Sequence, residues 1–499
     1  MAGAALLCLA AAVPMPDMHM EPTEPPAGRT DPSEYASRRV ALLAQLASSA
    51  CCEGQYASDV WGFTDPSTNA EYALITYRTG MAVVDVSVPT APALLGRVAS
   101  PSSVWKDVKT YGHFAYLVTE AAGSDIVVVD LSNRQVRVVG NVVASAGTAY
   151  THNVAIDETS GYLYRLGGGD HAMRVYSLAQ PEAPQFVGEI GDAYIHDAEV
   201  LTFTSGAYAG RQVAFACKAE SPHGLQLWDV TDKQAATLLS FASWPGASYS
   251  HNVWVDLPTM RAFVADELDH RLGRTSTVYV FDVSDLTQPV YTGSFTNGNS
   301  AITHNFIIRG DYLYHANYES GLRIFDIRHQ PIGEVAFFDT FPAADRATFD
   351  GAWGVYVLPR SGTILVSDQQ RGLFVLAFDE TPLPASPPPA PPRPPFSPFP
   401  PAPPPTSPIP PPPPCACSSP AGGCVAAGQV LASRCGCADH LNDGEVFCYV
   451  YASAADCPSA SPSQWQSHLP RRIARLYGRR PRSHLLMPPG VERRMRSPR

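Results

Sequence analysis

The sequence predicts an all-β fold, a seven-bladed β-propeller closed by an N-terminal strand, and three observations predict it. A short unit recurs down the chain at roughly 45 to 55 residues, the period of four-stranded blades rather than of helical solenoids. Each unit opens on a characteristic pair: Trp61-Gly62, Lys106-Asp107, His152-Asn153, His196-Asp197, His251-Asn252, His304-Asn305 and Trp353-Gly354. Each unit also carries an apolar run, most often ending in Asp, as in MAVVDVS (81–87), IVVVDLS (126–132), LQLWDVT (225–231), VYVFDVS (278–284) and LRIFDIR (322–328).

These runs are strands on their chemistry. They are rich in Val, Ile, Leu, Phe and Tyr, which fit a pleated surface, and they are too short for stable helices. Gly, Asp, Ser or Pro bounds each one. Continuous apolar character implies cover on both faces, as when blades pack face to face. The Asp that ends the run (Asp85, Asp130, Asp229, Asp282, Asp326) reads as a turn cap accepting backbone N–H bonds. A Pro-containing turn and a fourth run follow in most units: APALLGRVA, APQFVGEIG, QPVYTGSFT and QPIGEVAFF.

The seventh unit lacks its fourth run, because proline begins directly after LFVLAFD (373–379). The stretch RRVALLAQLASSA (38–50) has helical propensity, with Ser33 as a cap. ALLAQLA nevertheless matches the fourth run ALLGRVA and stands just before the first opening. An open ring would leave an unpaired edge. Ala41–Ala47 is therefore predicted to pair with Leu373–Phe378 as the outer strand of blade seven.

In chain order, residues 1–20 begin with AGAALLCLAAAV, too short to span a bilayer, and read as a secretory signal peptide or, alternatively, a disordered Ala-rich terminus. Residues 21–37 read as a flexible leader and 38–380 as the propeller. Residues 381–414 are a Pro-rich polyproline II linker, holding most of the excess among 48 prolines. Its Ser-Pro-Pro-Pro composition is similar to that of hydroxyproline-rich plant and algal wall proteins. Residues 415–457 hold seven of the eleven cysteines and read as a disulfide module; zinc is the alternative, but the spacing is C-x-C and only His440 is near. Residues 458–499 form a basic tail, read as disordered, that would suit an anionic wall polymer.

The net charge is −11, and the last thirty residues carry ten Arg and one Glu, a local +9, leaving −20 for the rest. Such an acidic body argues against a nucleic-acid partner. Hydrolase elbow, phosphate loop, dinucleotide fingerprint and HExxH are all missing from the sequence, as is an N-x-[ST] sequon.

Several stretches resemble one family: DVWGFTDPSTNAEYALITYRTGMAVVDVS, SSVWKDVKTYGHFAYLVTE, YIHDAEVLTFTSGAYAGRQVAFAC, THNFIIRGDYLYHANYESGLRIFDI and FDGAWGVYVLPRSGTILVSDQQRGLFVL. They are similar to the choice-of-anchor B family, also described as LVIVD-repeat proteins, over roughly residues 55–380. The resemblance implies an extracellular propeller held at the cell surface by an attachment segment that varies between members. It implies an architecture and a compartment rather than a reaction. A looser, fold-level likeness runs to the selenium-binding and methanethiol oxidase propellers, which use copper.

First strands line a propeller's channel, so the openings converge at one mouth. His152, His196, His251 and His304 come from consecutive blades and form the candidate metal set, with copper or zinc as the cation. Asp107, Asn153, Asp197, Asn252 and Asn305 share their register. Turns carrying Asp170 and His171, Glu220 and His223, Asp266 and Glu267, Glu319, and Asp368 meet at the same face. The competing explanation is structural: a His or Asn at a strand start bonds a neighbouring blade's backbone.

Two functions follow. The favoured one is a secreted or wall-associated monomeric propeller that binds or scaffolds an extracellular polymer or protein, without catalysis, nucleic acid or a membrane span. The alternative is a copper- or zinc-dependent enzyme with a His-lined site at the channel mouth.

Overall fold

The computed structural model describes residues 34–121, 126–142, 150–169 and 171–381, with two short strands farther on, Cys437–Ala438 and Phe447–Cys448. The expected signal peptide, the leader up to residue 33, the linker beyond residue 381, the basic tail and Asp170 lie outside the described residues. The chain divides into two units, Met1–Pro384 and Ala385–Arg499. In the second, Cys437 pairs with Cys448 and Ala438 with Phe447 as an antiparallel ladder. The rest of the cysteine-rich stretch is outside the described residues, and with it the disulfide expectation.

Seven antiparallel sheets make up the first unit. Their first strands are Ala57–Thr64, Lys106–Tyr111, Asn153–Asp157, Ile195–Thr202, Ser250–Asp256, Asn305–Arg309 and Ala352–Val357. Each neighbours the next, and Ala352–Val357 returns to Ala57–Thr64, so they form a closed inner ring. Burial explains the apolar runs. In blade one the second strand, Glu71–Tyr77, and the third, Gly80–Asp85, are buried throughout, whereas the fourth, Ala93–Ala99, is largely exposed. Middle strands are covered on both faces because each interface between blades holds its own apolar cluster. Leu74 and Val83 meet Leu117 and Val129 between blades one and two, and Phe215 and Leu227 meet Val253 and Val264 between blades four and five.

The turn caps fall where the pattern puts them. Asp85 Oδ1 accepts the Ser87 amide at 2.9 Å, Asp130 that of Ser132 at 2.9 Å, Asp229 that of Thr231 at 3.0 Å, Asp282 that of Ser284 at 2.9 Å and Asp326 that of Arg328 at 3.0 Å.

Closure follows the expected route. Val40–Leu46 pairs antiparallel with Gly372–Phe378, from Val40 opposite Phe378 to Leu46 opposite Leu373. The helix that local propensity favours is confined to one turn, Ser48–Cys51. A strand wins because the exposed edge of blade seven offers it a ladder and an apolar face, which an isolated helix of this length lacks. Register deepens the match. In every blade the outer strand carries one extra residue against the third strand: Leu95, Val139, Val187, Leu239, Thr292, Val335 and, in blade seven, Leu43. Such a bulge bends and twists the outer strand.

One boundary differs from the expectation of a leader through residue 37. Ser37–Arg38 is a fifth strand on blade six, opposite Phe338 and Phe337. Tyr35 packs its ring 5.3 Å from both Phe338 and Phe374, and Arg38 pairs with Glu334 at 3.0 Å. The chain turns at Arg39, whose φ is 56°, and crosses to blade seven. A two-residue strand has no periodicity for a sequence to display. Among the described residues no helix is long and apolar enough to cross a membrane.

Candidate functional site

Each blade from three to six brings one histidine to the start of its inner strand, and neighbouring inner strands hold those residues side by side. The rings form an unbroken row: His152 to His196 at 4.3 Å, His196 to His251 at 4.0 Å and His251 to His304 at 4.7 Å between centroids. All four are buried.

Their Nδ1 atoms have different fates. His196 donates to the His251 carbonyl at 2.9 Å and His304 to the Trp353 carbonyl at 2.6 Å, each reaching the next blade. For these two nitrogens the structural explanation holds: they satisfy a neighbouring backbone. An N–H committed to a carbonyl leaves the lone pair on Nε2. His152 Nδ1 lies 2.6 Å from Glu120 Oε1. His251 Nδ1 is buried and has no hydrogen-bond partner among the described residues.

Glu267 completes the arrangement. Its Oε2 lies 3.6 Å from His251 Nε2 and its Oε1 lies 3.8 Å from His304 Nε2. Tyr318 donates its hydroxyl proton to Glu267 Oε1 at 2.9 Å. One ligand atom from each of His251, Glu267 and His304 falls within a set no wider than 4.8 Å. His152 and His196 continue the row but stand outside that set.

Electrostatics sort the row. Burial pushes His196 and His251 well below the ordinary imidazole value, and neighbouring histidines add to it. Burial takes His304 down to about 3, despite the Trp353 carbonyl. Burial opposes protonation of His152 too, but the Glu120 charge and hydrogen bond outweigh it and raise its pKa. Burial pushes the Glu267 carboxyl up to about 7, against the Tyr318 hydrogen bond. The row is thus a set of neutral imidazoles with a cationic tendency at one end.

The Asp and Asn positions mostly serve as straps between blades. Asp107 Oδ2 accepts the Val154 amide at 2.8 Å, and Lys109 Nζ donates to its Oδ1 at 2.5 Å. Asn153 Nδ2 donates to the His196 carbonyl at 3.0 Å. Asn252 Nδ2 donates to Asp197 Oδ2 at 2.7 Å. Asn305 opens the inner strand of blade six, half-buried.

Three of the acidic turn residues are occupied mainly by residues of a neighbouring loop. Asp266 accepts the Ser248 and Tyr249 amides, both at 2.8 Å, and the Ser248 hydroxyl at 2.6 Å. Glu319 holds Arg346 at 2.9 Å and the Thr348 hydroxyl at 2.5 Å. Asp368 accepts the Thr340 hydroxyl at 2.8 Å and the Arg371 amide at 2.9 Å. Glu267 is the member of this group that meets the histidine row. His171 and Glu220 pair at 3.1 Å, partly exposed, and His223 Nδ1 donates to the Ala219 carbonyl at 2.8 Å.

Glu120 and Tyr318 escaped the sequence reading. Glu120 had a signal: it follows the second strand of blade two as Glu267 follows that of blade five. Their amides make the same bond, to the Trp105 and Tyr249 carbonyls at 3.1 and 3.2 Å. Tyr318 stands in an irregular turn with φ 41° and had no repeat counterpart to reveal it.

Comparison with known proteins places this geometry in context. The LVIVD repeat family model matches residues 67–100 and 105–135, which cover most of blades one and two. No curated protein matches the chain. Among solved structures, the crystal structure of a protein from Lactobacillus plantarum is similar at 14% identity, covering 63% of this chain and 89% of that chain, with a TM-score of 0.47.

Proposed function

We propose that the protein is an exported, cell-surface or wall-associated propeller that binds or scaffolds an extracellular polymer or protein, with no catalysis assigned. The observation that carries this reading is where the ring finishes. Both strands that complete blade seven, Val40–Leu46 and Gly372–Phe378, lie within residues 34–381. The ring therefore closes without a strand from the Pro-rich and Cys-rich stretches, which supports assigning them to attachment. The LVIVD repeats of blades one and two support the same class of protein. Rigid straps between inner strands suit a platform that presents one face unchanged.

Expression with the native N-terminus in an exporting cell tests the reading. The mature chain should begin beyond residue 20 and reach the medium or the wall fraction. A chain ending at residue 381 should be released, while the full chain stays with wall material. Retention of the whole protein inside the cell with Met1 intact would overturn it.

A further inference from the structure

We propose that His251, Glu267 and His304 bind one divalent transition-metal cation, through a ring nitrogen of each histidine and a carboxylate oxygen, with a further coordination position left open. This goes beyond the binding reading above and stands apart from it.

The distances carry the argument. Glu267 faces His251 Nε2 at 3.6 Å and His304 Nε2 at 3.8 Å. Both separations are too long for hydrogen bonds. Ligand atoms around a tetrahedral zinc with bonds of 2.0–2.1 Å stand about 3.3 Å apart. The Glu267–histidine separations are a few tenths of an ångström longer than that and the whole set is no wider than 4.8 Å, so side-chain rotations are needed to bring the three groups onto one ion.

Three further features point the same way. His251, Glu267 and His304 are 3%, 7% and 2% exposed, and His251 Nδ1 has no hydrogen-bond partner among the described residues. A buried polar atom without a partner is costly; a cation at Nδ1 would supply one, while a cation at Nε2 leaves Nδ1 to carry the ring proton. The Trp353 carbonyl holds His304 Nδ1 at 2.6 Å and Tyr318 holds Glu267 Oε1 at 2.9 Å. Outer hydrogen bonds of this kind orient metal ligands and fix the histidine tautomer. Two imidazoles and one carboxylate suit zinc, iron(II) or copper(II) rather than calcium or magnesium, which take oxygen ligands. Three protein ligands leave room for water or a small ligand.

The test uses the full chain, stripped of metal and titrated with Zn²⁺ against a chelating dye and with Co²⁺ followed by visible absorption. One equivalent of Zn²⁺ should bind, and Co²⁺ should give the strong d–d bands of a low-symmetry protein site. Glu267→Gln and His304→Asn should lower Zn²⁺ affinity by about 100-fold or more, and Tyr318→Phe by about 10-fold. His329→Asn, at an exposed histidine on blade six, should change nothing. A wild-type chain that takes up no equimolar Zn²⁺ and leaves Co²⁺ with its aqueous spectrum overturns the proposal. So does Glu267→Gln binding as tightly as wild type, which would mark uptake elsewhere, at surface histidines or the Cys-rich stretch. Should a ligand variant fail to fold, X-ray absorption of the wild-type zinc form decides: two imidazoles are expected, and fewer overturn the assignment.

Discussion

Asn252 Nδ2 donates to Asp197 Oδ2 at 2.7 Å, while its own Oδ1 accepts the Phe306 amide at 3.1 Å, so one side chain ties blades four, five and six together. Asn252 is buried, and replacing it with Ala strands a carboxylate and an amide. Each buried group left without its partner costs about 1–3 kcal/mol. Asn252→Ala should therefore lose about 2–4 kcal/mol in urea unfolding. A loss below ~1 kcal/mol would show that water replaces both bonds.

What the sequence displayed was whatever the blades repeat. The inner-strand openings had seven copies to compare, the turn-capping Asp five and the closing strand six others, and ALLAQLA could be laid on ALLGRVA residue by residue. The histidine row was legible for the same reason. Single occurrences were not. Ser37–Arg38 is too short to alternate, and Tyr318 has no copy elsewhere. Neighbouring carboxylates show the harder limit. Asp266 and Glu267 are adjacent, yet one accepts bonds from the loop that leads into the blade and the other meets His251. Only the path of residues 244–249 around Asp266 separates them, and that path leaves no mark in the residue pattern.

Lys106 predicts a pH dependence. Burial lowers its pKa from 10.5 to about 7, and its Nζ donates to the Pro101 carbonyl at 2.5 Å and the Thr119 hydroxyl at 3.0 Å. Between pH 7 and about 10.5 the unfolded chain holds a proton that the native state has released. Stability should therefore rise with pH across that window, and the full penalty should apply below it. Lys106→Met removes the group and should flatten this part of the curve. Identical slopes for the variant and wild type, in urea midpoints from pH 6 to 10, would exclude the lysine as the cause.

Cys51 and Cys52 sit at the end of the closing segment with their sulfur atoms 2.6 Å apart, both fully buried. In an oxidising compartment these neighbouring thiols should join as a disulfide, giving up two electrons and two protons to an oxidising thiol–disulfide exchange partner. Cys217, buried alone with its thiol pushed well up by burial, should stay reduced. Denaturing protein recovered from an oxidising compartment without reductant and alkylating it distinguishes the outcomes. Labelling confined to Cys217 within residues 34–381 is expected, and full labelling of Cys51 and Cys52 would refute the bond.

Closure makes the strongest demand on stability. The third strand of blade seven is fully buried at Leu373, Phe374, Val375 and Leu376, and Val40–Leu46 forms its outer neighbour. Leu42 packs toward Phe374 and Leu376, and Leu43 and Leu46 pack toward Leu373 and Val375 on the side of blade one. Without this strand, the six paired residues Leu373–Phe378 lose their ladder partners and two apolar interfaces open at once. Exposing a buried Leu- or Phe-sized side chain costs about 1.5–3 kcal/mol. Deleting residues 38–48 should therefore cost several kcal/mol or abolish folding. Hydrogen exchange tests the same point without a deletion: the amides of Val40–Leu46 should be protected as strongly as those of Gly372–Phe378, because both are lost only when the ring opens. Fast exchange confined to Val40–Leu46, or an unchanged melting temperature after the deletion, would mean that the ring is held shut by the straps between inner strands and that the outer strand only decorates blade seven.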